Sequence, residues 1–191
     1  VAALANNHCC DKGLRGIRST TAILDSAKIS RVGVYPDTLD YAARNILYLE
    51  RCNIRFAIVN YTYGTNGIPA PKGKLVNYID TIAIKRDLRT INRDSVDCVI
   101  ACMHWGNEYE RQPNRSQKAM AELMKSNGVD IIIGSHPHVV QPYKQEEDGK
   151  LVVYSLGNFV SNQRKRFTDG GLIVVVDIEE ENILYKERLS P

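Results

Sequence analysis

The chain has 191 residues, enough for one domain with a sizeable core. Apolar residues make up 43% and charged residues 25%, the balance of an ordinary globular protein. The net charge of +3 comes from scattered Lys and Arg, not from the long basic stripe that nucleic-acid binding needs, and no apolar run is long enough to span a bilayer.

Taken in order, residues 1–5 read as the end of a buried strand that runs into Asn6-Asn7-His8. No signal peptide is visible, and the abrupt start implies that an N-terminal portion precedes Val1. Helices are expected over 15–27 and from Pro36-Asp37-Thr38 to about Asn53. The second carries an apolar stripe of Leu39, Ala42, Ala43, Ile46 and Leu47. A strand over 31–34 lies between them. Residues 54–61 predict a strand and 62–74 a long irregular loop. Tyr61 and Tyr63 there either line a cleft or pack the loop down.

A short helix over 85–92 and a buried strand over 96–103 lead to His104-Trp105-Gly106-Asn107-Glu108-Tyr109. A helix over 115–126, with a stripe of Ala119, Met120, Leu123 and Met124, is closed by Gly128. The buried strand 129–133 then meets Gly134-Ser135-His136-Pro137-His138. Pro137 restricts itself and the residue before it, so both histidines are expected on extended backbone. Strands without intervening helices follow over 139–145, 151–155, 171–179 and 183–189. Turns are expected at Glu147-Asp148-Gly149 and Glu180-Glu181-Asn182. Helices alternating with strands and then antiparallel strands predict an α/β fold with a mixed sheet, in one domain over 1–191.

The five cysteines, Cys9, Cys10, Cys52, Cys98 and Cys102, lack CxxC spacing and do not form a disulfide or zinc framework. Cys98 and Cys102 are expected in the core. Cys9-Cys10 stands beside a candidate site residue. The basic run Arg164-Lys165-Arg166, next to Phe167, reads first as a solvated loop and second as a loop that grips an anionic substrate.

All four histidines fall in three loops that follow apolar strands. In open α/β sheets, sites gather beyond the carboxyl ends of strands, and neutral imidazole is a common metal ligand. The coincidence predicts a convergent metal site. Two metals would suit phosphate-ester hydrolysis, although no bridging carboxylate stands at a strand end. Asp11 either orients the His8 ring or caps the next helix. Glu108 either supports the site or is a surface acid.

Four stretches in order carry a resemblance: Leu4-Ala5-Asn6-Asn7-His8 with Asp11 and Gly13, His104-Trp105-Gly106 with Glu108-Tyr109, Gly134-Ser135-His136-Pro137-His138, and Tyr154-Ser155-Leu156-Gly157-Asn158-Phe159. The chain resembles the bacterial capsule synthesis protein CapA family, associated with poly-γ-glutamate capsule production. That family is similar to calcineurin-like metallophosphoesterases. The resemblance implies a β-sandwich flanked by helices, with mixed sheets and a dinuclear metal site. Asn7, His104, His136 and His138 would be metal ligands. His8 would be the general acid, with Asp11 beside it. Glu108, Trp105, Ser135 and Asn158 would contact substrate or support the ligands.

The implied cofactors are two divalent ions, of Mn, Fe or Zn. The superfamily motifs that supply Asp ligands would lie before Asn6, so the first strands and part of the metal site are expected outside this chain. An exposed sheet edge could then favour a homodimer. The implied function is metal-dependent hydrolysis in the cell envelope, on an anionic polymer or phosphoester. The alternative is a non-catalytic part of a membrane-associated capsule synthesis or export assembly. The implied location is membrane-anchored or extracytoplasmic.

Overall fold

The chain opens with a βαβ unit. Strand β1 (Ala2–Ala3) pairs in parallel with β2 (Arg31–Val32) across helix α1 (Gly13–Ser26). The structure is a computed structural model that describes residues 1–178. Two units can be distinguished, residues 1–104 and residues 105 onward. In α1, Ile17 and Thr21 are buried one turn apart, and the Thr21 hydroxyl donates to the Ile17 carbonyl at 3.0 Å. Ile17 joins Ala5, Cys10, Val34 and Val76 in one apolar cluster.

Helix α2 (Thr38–Arg44) starts where expected. Asp37 caps it by accepting from the Asp40 amide at 2.9 Å. It does not run on to Asn53. Residues 47–51 instead form β3 (Leu47–Arg51), antiparallel to β4 (Ile54–Thr62). Cys52 and Asn53 both lie in the left-handed region, with φ of 52° and 65°, and make the two-residue turn that such hairpins favour. The predicted apolar stripe fails for the same reason: Leu39 is 80% exposed, and α2 buries no residue. Alternation at Leu47, Tyr48, Leu49 and Glu50 wins because β4 offers backbone partners from Ile54 to Ile58.

Helix α3 (Thr81–Arg89) begins four residues before the predicted start, because Asp80 caps it through the Ala83 amide at 2.7 Å. Strand β5 (Cys98–His104) pairs in parallel with β4, Phe56 against Cys98 through Thr62 against His104. Cys98 is in the core as predicted, whereas Cys102 is half-buried. Tyr61 is buried and donates to Asp87 Oδ2 at 3.0 Å, so it packs the sheet against α3.

The second unit contains α4 (Arg115–Ser126), β6 (Ile131–Ser135), β7 (Val140–Gln145) and β8 (Leu151–Leu156). Helix α4 has the predicted bounds. Asn114 and Gln117 form a reciprocal capping box. The Gly128 and Val129 amides return to Lys125 and Met124 carbonyls at 3.2 and 3.1 Å, a Schellman ending. Its inner face is Gln117, Ala121 and Met124; Ala119, expected there, is exposed. Strand β8 pairs in parallel with β6 and antiparallel with β7. Parallel and antiparallel pairs thus coexist, and the α/β class with mixed pairing is what the sequence indicates.

The strand expected over 171–179 is absent among its described residues, where a single bridge joins Gly157 and Gly171. The predicted strand 183–189 and the turn at 180–182 lie outside the described residues. No described helix is long and apolar enough to cross a membrane.

Charge clusters make stability pH-dependent. The buried Arg31 guanidinium meets Asp25 at 2.9 Å and Asp40 at 2.8 Å. Hydrogen bonding from Arg31 holds the Asp25 carboxyl below its ordinary 3.8. Arg55 does the same for Asp97, and Lys125 with Lys144 for Glu146. A carboxylate lowered on folding contributes stability that is complete above its unfolded value and lost as pH falls through the folded one. The melting temperature should therefore hold from neutral pH down to the ordinary carboxylate range of 3.8–4.5 and then fall. Asp25→Asn should make that acid limb shallower. A thermal scan series that stays level to about pH 2 would contradict this assignment.

Candidate metal centre

In the first unit, the loop after β1 is tied to the sheet by Asn60. Its Oδ1 accepts from the Ala5 amide at 2.6 Å, and its Nδ2 donates to the Cys102 carbonyl at 3.0 Å. Gly33 sits so close that a Cβ there would meet Asn60 Oδ1 at 2.1 Å. The anchored loop brings Asn7 to His104, with Oδ1 and Nε2 2.9 Å apart. Asn7 is buried, and its Nδ2 donates to Asn66 Oδ1 at 3.2 Å. The Tyr63 ring stacks near-parallel on His104, with centroids 6.2 Å apart. Tyr63 therefore lines this group, whereas Tyr61 does not.

His8 is exposed, and its Nδ1 lies 2.8 Å from Asp11 Oδ2. The N-cap position of α1 is Lys12, with no side-chain cap, so Asp11 meets the imidazole and does not cap the helix. This pairing leaves Nε2 as the ring edge turned away from Asp11.

In the second unit, Glu108, His136 and His138 come together. One ligand atom from each lies within 4.8 Å of the others. His138 Nε2 is 3.9 Å from Glu108 Oε1. His136 is buried and His138 half-buried. The backbone is not extended, as Pro137 alone would dictate: φ is +100° at His136 and +61° at His138. The loop is pulled into a turn because the Pro137 carbonyl accepts from the Tyr109 amide at 2.7 Å and the Ser135 carbonyl from the Trp105 amide at 3.1 Å. Tyr109 is itself at φ +67°. Non-glycine residues in this region cost about 1–3 kcal/mol each and cluster at functional sites.

Trp105 is buried, and its indole donates to the Tyr154 carbonyl at 2.9 Å, propping the loop from within. Gln117 donates to Gln141 Oε1 at 2.8 Å, and Gln141 donates to the Glu110 carbonyl at 2.7 Å. A row of amides thus carries the order of α4 into the loop that presents Glu108. Asn158 Oδ1 meets His138 Nδ1 at 3.0 Å, and the Tyr109 ring stacks on His138 with centroids 5.9 Å apart. Lys165 Nζ lies 3.7 Å from the centroid of Tyr109, and Arg111 and Arg166 both cover Phe167. The basic run is exposed to solvent, as the sequence indicates, with Lys165 and Arg166 also resting on aromatic faces.

Sequence reading does not single out Asn66, Gln163 or Thr168, assigns Tyr109 no role of its own, and gives Lys165 only the second reading of its basic run. Asn66 meets Asn7 across 59 positions and Lys165 meets Tyr109 from another loop, so no local pattern marks them. Gln163 and Thr168 meet Asn158 within one irregular loop that carries no periodic signal.

The thiols are not part of this chemistry. Burial pushes Cys9 up to about 12 and Cys102 up to about 11, and it also raises Cys10. Thiolate is the reactive form, so these groups should be inert at neutral pH. Exposed Cys52 should supply the one fast equivalent in a native thiol titration, and Cys52→Ser should remove it. A fast phase that survives this substitution would show that Cys9 or Cys10 is reactive.

An α/β protein with histidines grouped at strand ends is the class these observations define. Residues 1–163 match the family of bacterial capsule synthesis protein PGA_cap. The chain is 33% identical over 168 residues to a capsule biosynthesis protein CapA of Bacillus anthracis, covering 85% of this chain and 40% of that protein. It is 32% identical over 160 residues to a PGA biosynthesis protein CapA of Bacillus subtilis, covering 83% and 42%. A solved structure of a hypothetical protein from Thermus thermophilus matches at 18% identity and a TM-score of 0.48, over 73% of this chain and 48% of that one. The chain belongs to the bacterial capsule synthesis protein family, and spans about two fifths of the length of these curated relatives.

Proposed function

We propose that Glu108, His136 and His138 hold a divalent metal ion and that the protein is a metal-dependent hydrolase acting in capsule polymer metabolism at the cell envelope. The observation that carries this reading is the convergence of one carboxylate and two imidazole donors within 4.8 Å. Two donors each about 2.1 Å from one ion lie at most about 4.2 Å apart, so small side-chain rotations suffice. Two histidines and a carboxylate suit Zn or Fe, and Mn is compatible with the carboxylate. Asn7 Oδ1 and His104 Nε2, 2.9 Å apart, have the spacing of two ligands on one ion, and we assign them the same role in their own unit.

When bound, such an ion makes water a nucleophile at neutral pH and polarises a phosphoryl oxygen. The chain's own residues supply the rest. Asp11 orients the His8 ring through Nδ1, so in its imidazolium form the ring presents the Nε2 proton outward, and we assign His8 the role of a general acid within its own unit. Lys165, with Arg111 and Arg166, supplies positive charge suited to an anionic polymer or phosphoester.

A second reading keeps the metal group in a non-catalytic component of a membrane-associated assembly for capsule synthesis or export. The relatives' descriptions favour it, since they name biosynthesis and no hydrolysis. The deciding experiment is a phosphoester screen on the full-length, metal-loaded protein, with capsule production measured in a His8→Asn strain. Turnover lost in His8→Asn supports the hydrolase. No turnover, together with a normal capsule in the variant strain, overturns it.

A further inference from the structure

We infer that Asn158 is a positioning residue that fixes the tautomer of His138, so that Nε2 and not Nδ1 is its ligand atom. The orientation of the Asn158 amide follows from its other partners. Its Nδ2 lies 3.0 Å from the Thr168 backbone carbonyl and 3.4 Å from Gln163 Oε1. A backbone carbonyl only accepts, so the edge facing Thr168 is the amino group. The opposite edge, 3.0 Å from His138 Nδ1, is therefore the carbonyl oxygen, which also only accepts. Nδ1 must then carry the proton. A neutral imidazole has one N–H, so Nε2 keeps its lone pair. Nε2 is the nitrogen that lies 3.9 Å from Glu108 Oε1.

The relay is anchored at its far end. Thr168 is fully buried, and its amide and hydroxyl both donate to the Lys165 carbonyl, at 3.1 and 2.7 Å. The Asn158 amide donates to the Gly170 carbonyl at 3.3 Å, and a Cβ at Gly171 would meet the Asn158 carbonyl oxygen at 2.5 Å. The turn carrying Arg164, Lys165 and Arg166 thus holds the edge of His138 through Asn158. It also holds the face of His138 through Lys165 on Tyr109. Outer partners of this kind set ring orientation and typically tune metal affinity 10–100-fold.

The metal half of this inference rests on the proposed function, whereas the tautomer half does not. The test is long-range proton–nitrogen NMR on metal-free, histidine-labelled protein at about pH 8, where imidazole is neutral, joined to zinc titration. His138 should appear as the Nδ1–H tautomer in the wild type. Asn158→Ala should lose that preference and weaken zinc binding about 10–100-fold. Asn158→Asp keeps an acceptor at Nδ1 but loses the donor to Thr168, so it should restore the Nδ1–H tautomer. An Nε2–H tautomer in the wild type, or Asn158→Ala with tautomer and affinity unchanged, overturns the inference. A wild type that shows Nδ1–H and binds no zinc supports the tautomer assignment and sinks the metal reading alone.

Discussion

Substituting His138 by alanine is expected to lower the affinity for zinc or manganese by at least about a hundredfold. Loss of an outer partner alone costs about 10–100-fold. A direct ligand contributes more, because the apparent binding energy of a complete zinc site, about 10–16 kcal/mol, is shared among few donors. His138 is the cleanest probe of the group. It is half-buried, so its removal empties little of the core, and alanine leaves Asn158 bonded to Thr168. Glu108→Gln keeps the shape and removes the charge. With Glu108 as the third ligand, it should weaken binding by at least about a hundredfold, more than the loss of an outer partner. A loss of only about tenfold would make Glu108 a supporting residue and not a ligand. A drop as deep as that of His138→Ala makes Glu108 a ligand. A competition titration with a chelator of known strength reads both, with circular dichroism to show that each variant folds.

The second large effect is on stability. Gly134→Ala is expected to lower it by about 3 kcal/mol, the upper end of ordinary overpacking costs. An added Cβ would meet the Tyr154 carbonyl oxygen at 2.0 Å and its carbon at 2.6 Å, with Trp105 Nε1 at 2.5 Å. Tyr154 lies on β8, which β6 pairs with in parallel, so its backbone cannot move aside without breaking the ladder. The indole cannot retreat without losing its bond to that same carbonyl. For a chain of this length the loss corresponds to a melting temperature lower by roughly 6–12 °C. Metal binding should fall with it, since β6 delivers the His136 loop. A melting temperature within about 2 °C of the wild type would mean that the strands pack less closely than described.

What the sequence makes legible differs from element to element. Helix α4 is readable to the residue because both ends carry local chemistry, the Asn114–Gln117 box and the Gly128 ending. The α/β class is readable because strand and helix periods alternate. Strand β3 is not, because Leu47 and Leu49 fit a strand while Ala43, Ile46 and Leu47 fit a helix over the same stretch. The choice is made by β4, a partner across the turn, and by two left-handed residues at that turn.

The site divides in the same way. That histidines end strands can be read directly. That Asn7 meets His104 across 97 positions cannot, nor that Asn158 meets His138 across 20. Pro137 misleads for a related reason. Local restriction predicts extended histidines, but hydrogen bonds from Trp105 and Tyr109 draw the loop into positive φ. Local rules lose where a distant backbone donor fixes the chain.

The proposed function rests on a metal ion held by Glu108, His136 and His138. The most direct measurement is elemental analysis after loading with zinc, manganese or iron and exhaustive dialysis, on the wild type and on the His136→Ala/His138→Ala double variant. We expect at least about one equivalent per chain in the wild type, as a three-donor site requires, and its loss from the folded double variant. A wild type that retains no metal, or a double variant that retains as much, would contradict the assignment of these residues as a metal centre.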